Sequence, residues 1–194
     1  MINYPNGKRI ENCKKTKAIK HKNIFNAANR GMSLESDIND SNQYYLEKNL
    51  CLITKRPTPI NIVKVDYSKG ARIIDAYFEK QSTTDYNGIY KSRYIDFEAK
   101  QTQSTTSFPL SNIPIQQIKH LKKVIEFGGI AFFIIQFTKL NETYLIDANF
   151  IIDFKEKNER HSIQYSFIKE NGKLIKVGYH PRLDYLSIID ELYF

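Results

Sequence analysis

The run Ile130 to Phe137 constrains the fold more than any other stretch, because every position in it except Gln136 is apolar and most are β-branched or aromatic. A strand without a polar face must be covered on both sides, so it belongs in the interior of a sheet flanked by helices. Just before it, Pro114 to Phe127 sets Ile118, Leu121, Val124 and Ile125 at helical spacing, and Gly128-Gly129 stops that helix. Before the helix, Arg93 to Lys100 reads as another strand. Strand, helix and strand in succession form a crossover, which predicts that the two strands are parallel and that the chain is α/β.

The rest of the chain fills in around this unit. Ser33 can cap a helix carrying Leu34, Ile38 and Tyr45 on one face, with Glu35 beside that face. Leu50 to Thr54 reads as a first buried strand, stopped by Lys55-Arg56-Pro57-Thr58-Pro59. From Pro57 to about Lys80, alternating apolar residues with a turn near Lys69-Gly70 predict an inserted antiparallel finger, basic at Lys64, Lys69 and Arg72. Ser82 to Tyr90 is expected as a strand, Tyr144 to Ala148 as another, and Leu183 to Leu192 as a closing helix.

Charge and composition narrow the function. The 194 residues suit one domain, and 41% hydrophobic with 26% charged residues marks a folded chain. No window approaches the ~18 apolar residues of a membrane span, and the N-terminus is polar, so a cytoplasmic location is expected. His21, His120, His161 and His180 are scattered, and Cys13 and Cys51 lack ligand spacing, which argues against a zinc hydrolase. Any metal must be held by oxygen. The formal net charge is +8, and residues 1–24 carry Lys8, Arg9, Lys14, Lys15, Lys17, Lys20 and Lys22 against one acid, Glu11. We read residues 1–28 as a flexible basic arm that attracts phosphate, with a solvated tail as the alternative.

The chemistry is concentrated in Tyr94 to Lys100. Strand alternation puts Ile95, Phe97 and Ala99 on one face and Asp96, Glu98 and Lys100 on the other. Polar groups on a strand entering a covered sheet are costly unless paired or ligated. Asp85 faces Glu98 only if the hairpin turns at Lys91-Ser92, in competition with the stronger local turn signal Asn87-Gly88. We choose the Lys91-Ser92 register because it unites two carboxylates, and read Asn87-Gly88 as a bulge or a close approach. Two carboxylates suit Mg²⁺, and Lys100 on the face of Glu98 is placed to hold a water or a phosphate oxygen. Asp96 shares that face and is read as a paired or surface acid. Tyr67, Tyr86 and Tyr90 are candidates for stacking on unpaired bases, with core packing as the alternative.

This Asp…Glu-x-Lys pattern resembles the restriction-endonuclease-like nuclease superfamily, and within it the RecU-type Holliday junction resolvases. The similarity is carried by Asn29-Arg30-Gly31-Met32, Lys55-Arg56-Pro57-Thr58-Pro59-Ile60, Thr83 to Gly88, Arg93 to Lys100, Thr106 to Leu110, Gln117-Ile118, and Pro181-Arg182 through Phe194. It implies a mixed central sheet flanked by helices with an inserted stalk at about 57–80, making 29–194 one nuclease domain. It further implies a homodimer that binds four-way DNA junctions in recombination and repair and nicks two strands symmetrically with Mg²⁺ or Mn²⁺. Relatives also modulate the strand-exchange recombinase. The implied metal ligands are Thr83, Asp85, Glu98 and Gln117, the implied transition-state lysine is Lys100, and Glu35 is the helical acid that orients ligands or assists a second metal. Gln117 has no role apart from this resemblance. Lys55, Arg56, Lys64 and Arg72 are expected on phosphates, and Arg30 is either a phosphate contact or a helix-start cation. The sequence departs from the pattern at Ser92, where the turn would take glycine. A sequence-specific restriction endonuclease and an inert DNA-binding scaffold remain the alternatives.

Overall fold

The computed structural model describes residues 25–79 and 83–194, with side chains from residue 34 onward. Most of the basic arm, residues 1–24, and the side chain of Arg30 therefore lie outside the described residues. The elements are α1 (Phe25–Glu47), β1 (Leu52–Lys55), β2 (Ile60–Asp66), β3 (Arg72–Phe78), β4 (Tyr86–Tyr90), β5 (Arg93–Thr102), β6 (Ser107–Pro109) and α2 (Ile115–Glu126). There follow β7 (Ile130–Phe137), β8 (Glu142–Asp147), α3 (Ala148–Lys157), β9 (Ser162–Gln164), α4 (Tyr165–Asn171), β10 (Lys173–Leu174) and α5 (Leu186–Tyr193).

The central sheet runs β1-β4-β5-β7-β8-β10, with β5 and β7 parallel and the other neighbours antiparallel. The crossover through α2 thus produces the parallel pair that its sequence order dictates. Alternation along β7 divides the core. Phe132 and Ile134 pack with Ile38, Tyr45, Phe97, Tyr185 and Ile189, whereas Phe133, Ile135 and Phe137 pack with Phe108, Leu121, Ile146 and Ile151. The result is the mixed sheet between helical layers that the sequence predicts.

The β4–β5 hairpin turns at Lys91-Ser92 and pairs Tyr86 with Phe97 and Tyr90 with Arg93. Tyr86, Phe97 and Phe132 stack in a row with centroids 4.9 and 4.6 Å apart, so a slip of one residue would break the column as well as the ladder. Lys91 and Ser92 both take left-handed backbone, φ 45° and 62°. That is the two-residue hairpin turn for which glycine is the unstrained choice. Ser92→Gly is accordingly expected to raise stability by about 1 kcal/mol, or roughly 2–4 °C in Tm. A lower melting temperature in scanning calorimetry would contradict the turn. The competing signal, Asn87-Gly88, lies inside β4, where Gly88 is a site of close approach to β1.

Several expectations need correction. The first helix starts at Phe25 and not after Ser33, so the arm's expected boundary at 28 falls within it; Ala27 and Ala28 favour the helix and one interior glycine costs it only about 1 kcal/mol. β1 is an edge strand with only Ile53 buried. Thr83 to Asp85 precede β4 and are not strand, so Thr83 and Asp85 do not share a pleated face. Tyr86 and Tyr90 are core residues, unavailable to bases, while Tyr67 near the finger's tip is 75% exposed. The last helix begins at Leu186, because α1 holds Leu183 by both backbone groups: its N–H donates to Ser41 Oγ at 2.7 Å and its carbonyl accepts from Tyr45 Oη at 2.9 Å.

The finger is a separate two-stranded sheet of β2 and β3, with Gly70 at φ 99° beside its turn. Apolar side chains along it, including Ile62, Val63, Ile74, Tyr77 and Phe78, are exposed. Lys64 and Arg72 are exposed on the same stalk.

Candidate active site

The register that pairs Tyr86 with Phe97 carries Asp85, one residue before β4, to Glu98 on β5. The Asp85 backbone N–H donates to Glu98 Oε2 at 3.0 Å. Lys100, two residues along β5, sets its ammonium 2.5 Å from Glu98 Oε1. The side chain of Glu98 is completely buried and that of Lys100 is 21% exposed. Asp85, Glu98 and Lys100 are thus brought together at one end of the β4–β5 hairpin.

Asp85 and Lys100 line a cleft of roughly 390 Å³ together with Glu35 from α1, Gln101 and Asn112, and Glu98 lies buried behind them. Glu35 forms an ion pair with Lys55, the last residue of β1, at this cleft. Lys55, expected on a phosphate, thus sits beside the acid group it neutralises. Thr83 and Gln117 also come together: Gln117 reaches from α2 and donates from Nε2 to the Thr83 carbonyl at 3.5 Å. Lys64 and Arg72 remain on the stalk and do not join the cleft.

The electrostatics of Glu98 are unusual. Burial is the main cause pushing its carboxyl up from 4.5 to about 7; the charge of Asp85 adds to the push, while the Lys100 ammonium opposes it. Among the described residues Glu98 Oε1 is met only by the Lys100 ammonium, and the buried Gln117 Oε1 accepts no hydrogen bond. A buried acceptor without a donor costs about 1–3 kcal/mol, so the Gln117 oxygen is one that a cation ligated nearby would satisfy. Among the described residues no three or more His, Cys, Asp or Glu side chains cluster to cage an ion. Two carboxylates supplemented by amide, hydroxyl and water oxygens are the donor set that fits Mg²⁺ and not zinc.

Arg56 is also placed differently from its expected phosphate role. Its Nη2 donates to Asp96 Oδ2 and to Tyr94 Oη, each at 2.7 Å, and its Nη1 donates to Thr84 Oγ1 at 2.7 Å. Asp96 is fully buried, not a surface acid, and also meets His120 Nε2 at 2.9 Å. A buried carboxylate stripped of its counter-charge would cost about 3–5 kcal/mol, which accounts for the density of donors around it. Alternation places Asp96 on the correct face but does not reveal its partners: Thr84 and His120 are distant along the chain and leave no local spacing signal, and Tyr94, two residues away, reads as an ordinary strand aromatic. Nor does it single out Gln101 and Asn112.

Comparison with known proteins adds independent findings. The family model of Recombination protein U, RecU, matches residues 29–191. A protein from Bacillus cytotoxicus named Holliday junction resolvase RecU is 52% identical over 201 residues, covering 100% of this chain and 98% of the relative. One of the same name from Bacillus mycoides is 50% identical over 201 residues, with the same coverage, 100% and 98%. Among solved structures, Archaeoglobus fulgidus Hjc, a Holliday junction resolvase, aligns at a TM-score of 0.44 and 14% identity, covering 74% of this chain and 95% of that one.

Proposed function

Because the chain belongs to the RecU family, we propose that it is a structure-selective endonuclease that resolves four-way DNA junctions by metal-dependent phosphodiester hydrolysis. The observation that carries the reading is that Asp85 and Lys100 share one cleft and both contact the buried Glu98, in a chain with that family membership.

In this reading Asp85 and Glu98, aided by oxygens of Thr83 and Gln117, hold Mg²⁺, with Mn²⁺ able to replace it. When bound, the cation lowers the pKa of a coordinated water and offsets charge on the phosphate under attack. Lys100 contributes through position: its ammonium lies against a buried carboxylate, where it donates to a nonbridging phosphate oxygen or fixes the attacking water. Glu35, paired with Lys55, orients the ligands from the α1 side. The basic arm, residues 1–24, and the stalk basic residues Lys64 and Arg72 attract the DNA backbone, and the stalk reaches toward the branch point. Two opposed nicks need two sites related by a two-fold axis, so the working unit is a homodimer. No described helix is long and apolar enough to cross a membrane, and we place the protein in the cytoplasm, in reach of DNA and of a strand-exchange recombinase.

The test is incubation with Mg²⁺ and a mobile four-way junction. Paired, symmetric nicks are expected; an intact junction alongside cut linear duplex would defeat the reading and favour a restriction enzyme.

The raised carboxyl of Glu98 gives a second check. A metal ligand must be deprotonated, so proton and cation compete at Glu98. Above about 7 the carboxylate is ready and affinity for Mn²⁺ should be flat with pH. Below that point the apparent dissociation constant should rise about tenfold per pH unit. An affinity unchanged between pH 8 and 6 in titration calorimetry would exclude Glu98 as a ligand.

A further inference from the structure

The chain passes from the sheet into the stalk at Arg56-Pro57 and returns to the sheet at Thr83-Thr84-Asp85. Both passages meet at Asp96. Arg56 Nη1 also reaches Asp96 Oδ1 and the Thr84 carbonyl, each at 3.3 Å, and Thr84 Oγ1 bonds Asp96 Oδ1 directly. The Arg56 backbone N–H donates to the Asp85 carbonyl at 2.7 Å. Tyr94 Oη donates to Asp96 Oδ2 at 2.8 Å. His120 brings in α2, the helix whose Gln117 touches Thr83. Asp96 itself lies two residues before Glu98 on the same strand face.

We propose that Arg56 and Asp96 are positioning residues of the nuclease centre: they fix the Thr83–Asp85 segment against β5 and α2, and so set the spacing of the oxygens that hold the cation. Arg56 acts through Asp96 and Thr84, not by touching DNA. Each of the four segments that supply or flank the ligands sends a donor to one buried carboxylate or hangs from a residue that does, and both terminal nitrogens of the guanidinium are occupied within the protein. The planar fork is needed because one side chain must bridge Asp96, Tyr94 and Thr84 at once; an ammonium is a point charge and cannot.

This inference rests on the resolvase reading, and Arg56→Lys separates it from a phosphate contact. A phosphate contact survives Arg56→Lys, which keeps the charge. A positioning role does not. In Arg56→Lys, Mn²⁺ affinity without DNA and the single-turnover cleavage rate at saturating junction should each fall about 10- to 100-fold. Junction affinity in EDTA and its salt dependence should stay as in the parent chain, and they should stay so in Arg56→Gln, where a lost phosphate contact would reduce the salt slope by about one. Parent-like Mn²⁺ binding and cleavage in Arg56→Lys, or a reduced salt slope in Arg56→Gln, overturns the proposal. Should Arg56→Lys be unfolded at the assay temperature, Tyr94→Phe and His120→Gln each delete a single bond to Asp96, and unchanged Mn²⁺ binding in both overturns it equally. If the parent chain leaves four-way junctions uncut, the functional reading has failed instead; a parent that cuts beside an Arg56→Lys that cuts as well sinks only the positioning role.

Discussion

Glu98→Gln is expected to cut four-way junctions at least about a thousandfold more slowly than the parent while binding them as tightly. The amide matches the carboxylate in shape but carries no charge, so it weakens a ligand of the cation and withdraws the partner that Lys100 holds at 2.5 Å. Losing the cation forfeits several kcal/mol of transition-state stabilisation, and about 4 kcal/mol corresponds to that rate. Binding should persist because, on the proposed reading, phosphate contacts by lysines and arginines outside the cleft dominate affinity. The fold should survive as well. Glu98 has a carboxyl raised from 4.5 to about 7 by burial, so the folded chain prefers the neutral form, and stability is lost as pH rises through that window. An amide escapes that loss. Without divalent ion at pH 8, Glu98→Gln should therefore melt no lower than the parent, a result that separates a chemical defect from a folding defect. Asp85→Asn should lose cleavage in the same way. A Glu98→Gln protein that still nicks junctions within tenfold of the parent rate would remove Glu98 from the metal site.

The sequence made this centre legible because strand alternation and hairpin register are local rules. Once Lys91-Ser92 is chosen as the turn, Asp85 and Glu98 have to meet, and the aromatic column Tyr86, Phe97, Phe132 enforces the choice in three dimensions. The crossover was equally readable, since Ile130 to Phe137 can only be an interior strand. The missed elements follow a different logic. α3 opens with Asp147 capping the Asn149 N–H at 2.8 Å, a start masked in the sequence because Phe150, Ile151 and Ile152 follow β8 with no glycine or proline between. β6, β9 and β10 are two or three residues long and owe their existence to partners far along the chain. The cluster at Asp96 shows the same limit: Arg56 and His120 are ordinary surface residues in sequence, and only tertiary packing turns them inward.

Gly88→Ala should be the most damaging small substitution in the sheet. A Cβ at this position would lie 2.0 Å from the Leu52 carbonyl oxygen and 2.6 Å from Ile53 Cα, both backbone atoms of β1. No rotamer change relieves a clash with backbone. Either β4 shifts and strains the Tyr86–Phe97 register, or the edge strand β1 moves off. The second route is the cheaper, because β1 has only β4 as a neighbour in the sheet and only Ile53 buried. Overpacking of this kind costs about 3 kcal/mol, which for a chain of this size lowers Tm by roughly 6–12 °C. The damage should reach the chemistry too. β1 ends in Lys55 and is followed by Arg56, so its departure withdraws the partner of Glu35 and the fork that holds Asp96. Gly88→Ala is therefore predicted to lose Mn²⁺ affinity as well as stability, even below its melting temperature, where a purely thermal defect would leave the folded fraction binding normally. A variant that melts within 1 °C of the parent would mean that β1 does not lie against Gly88.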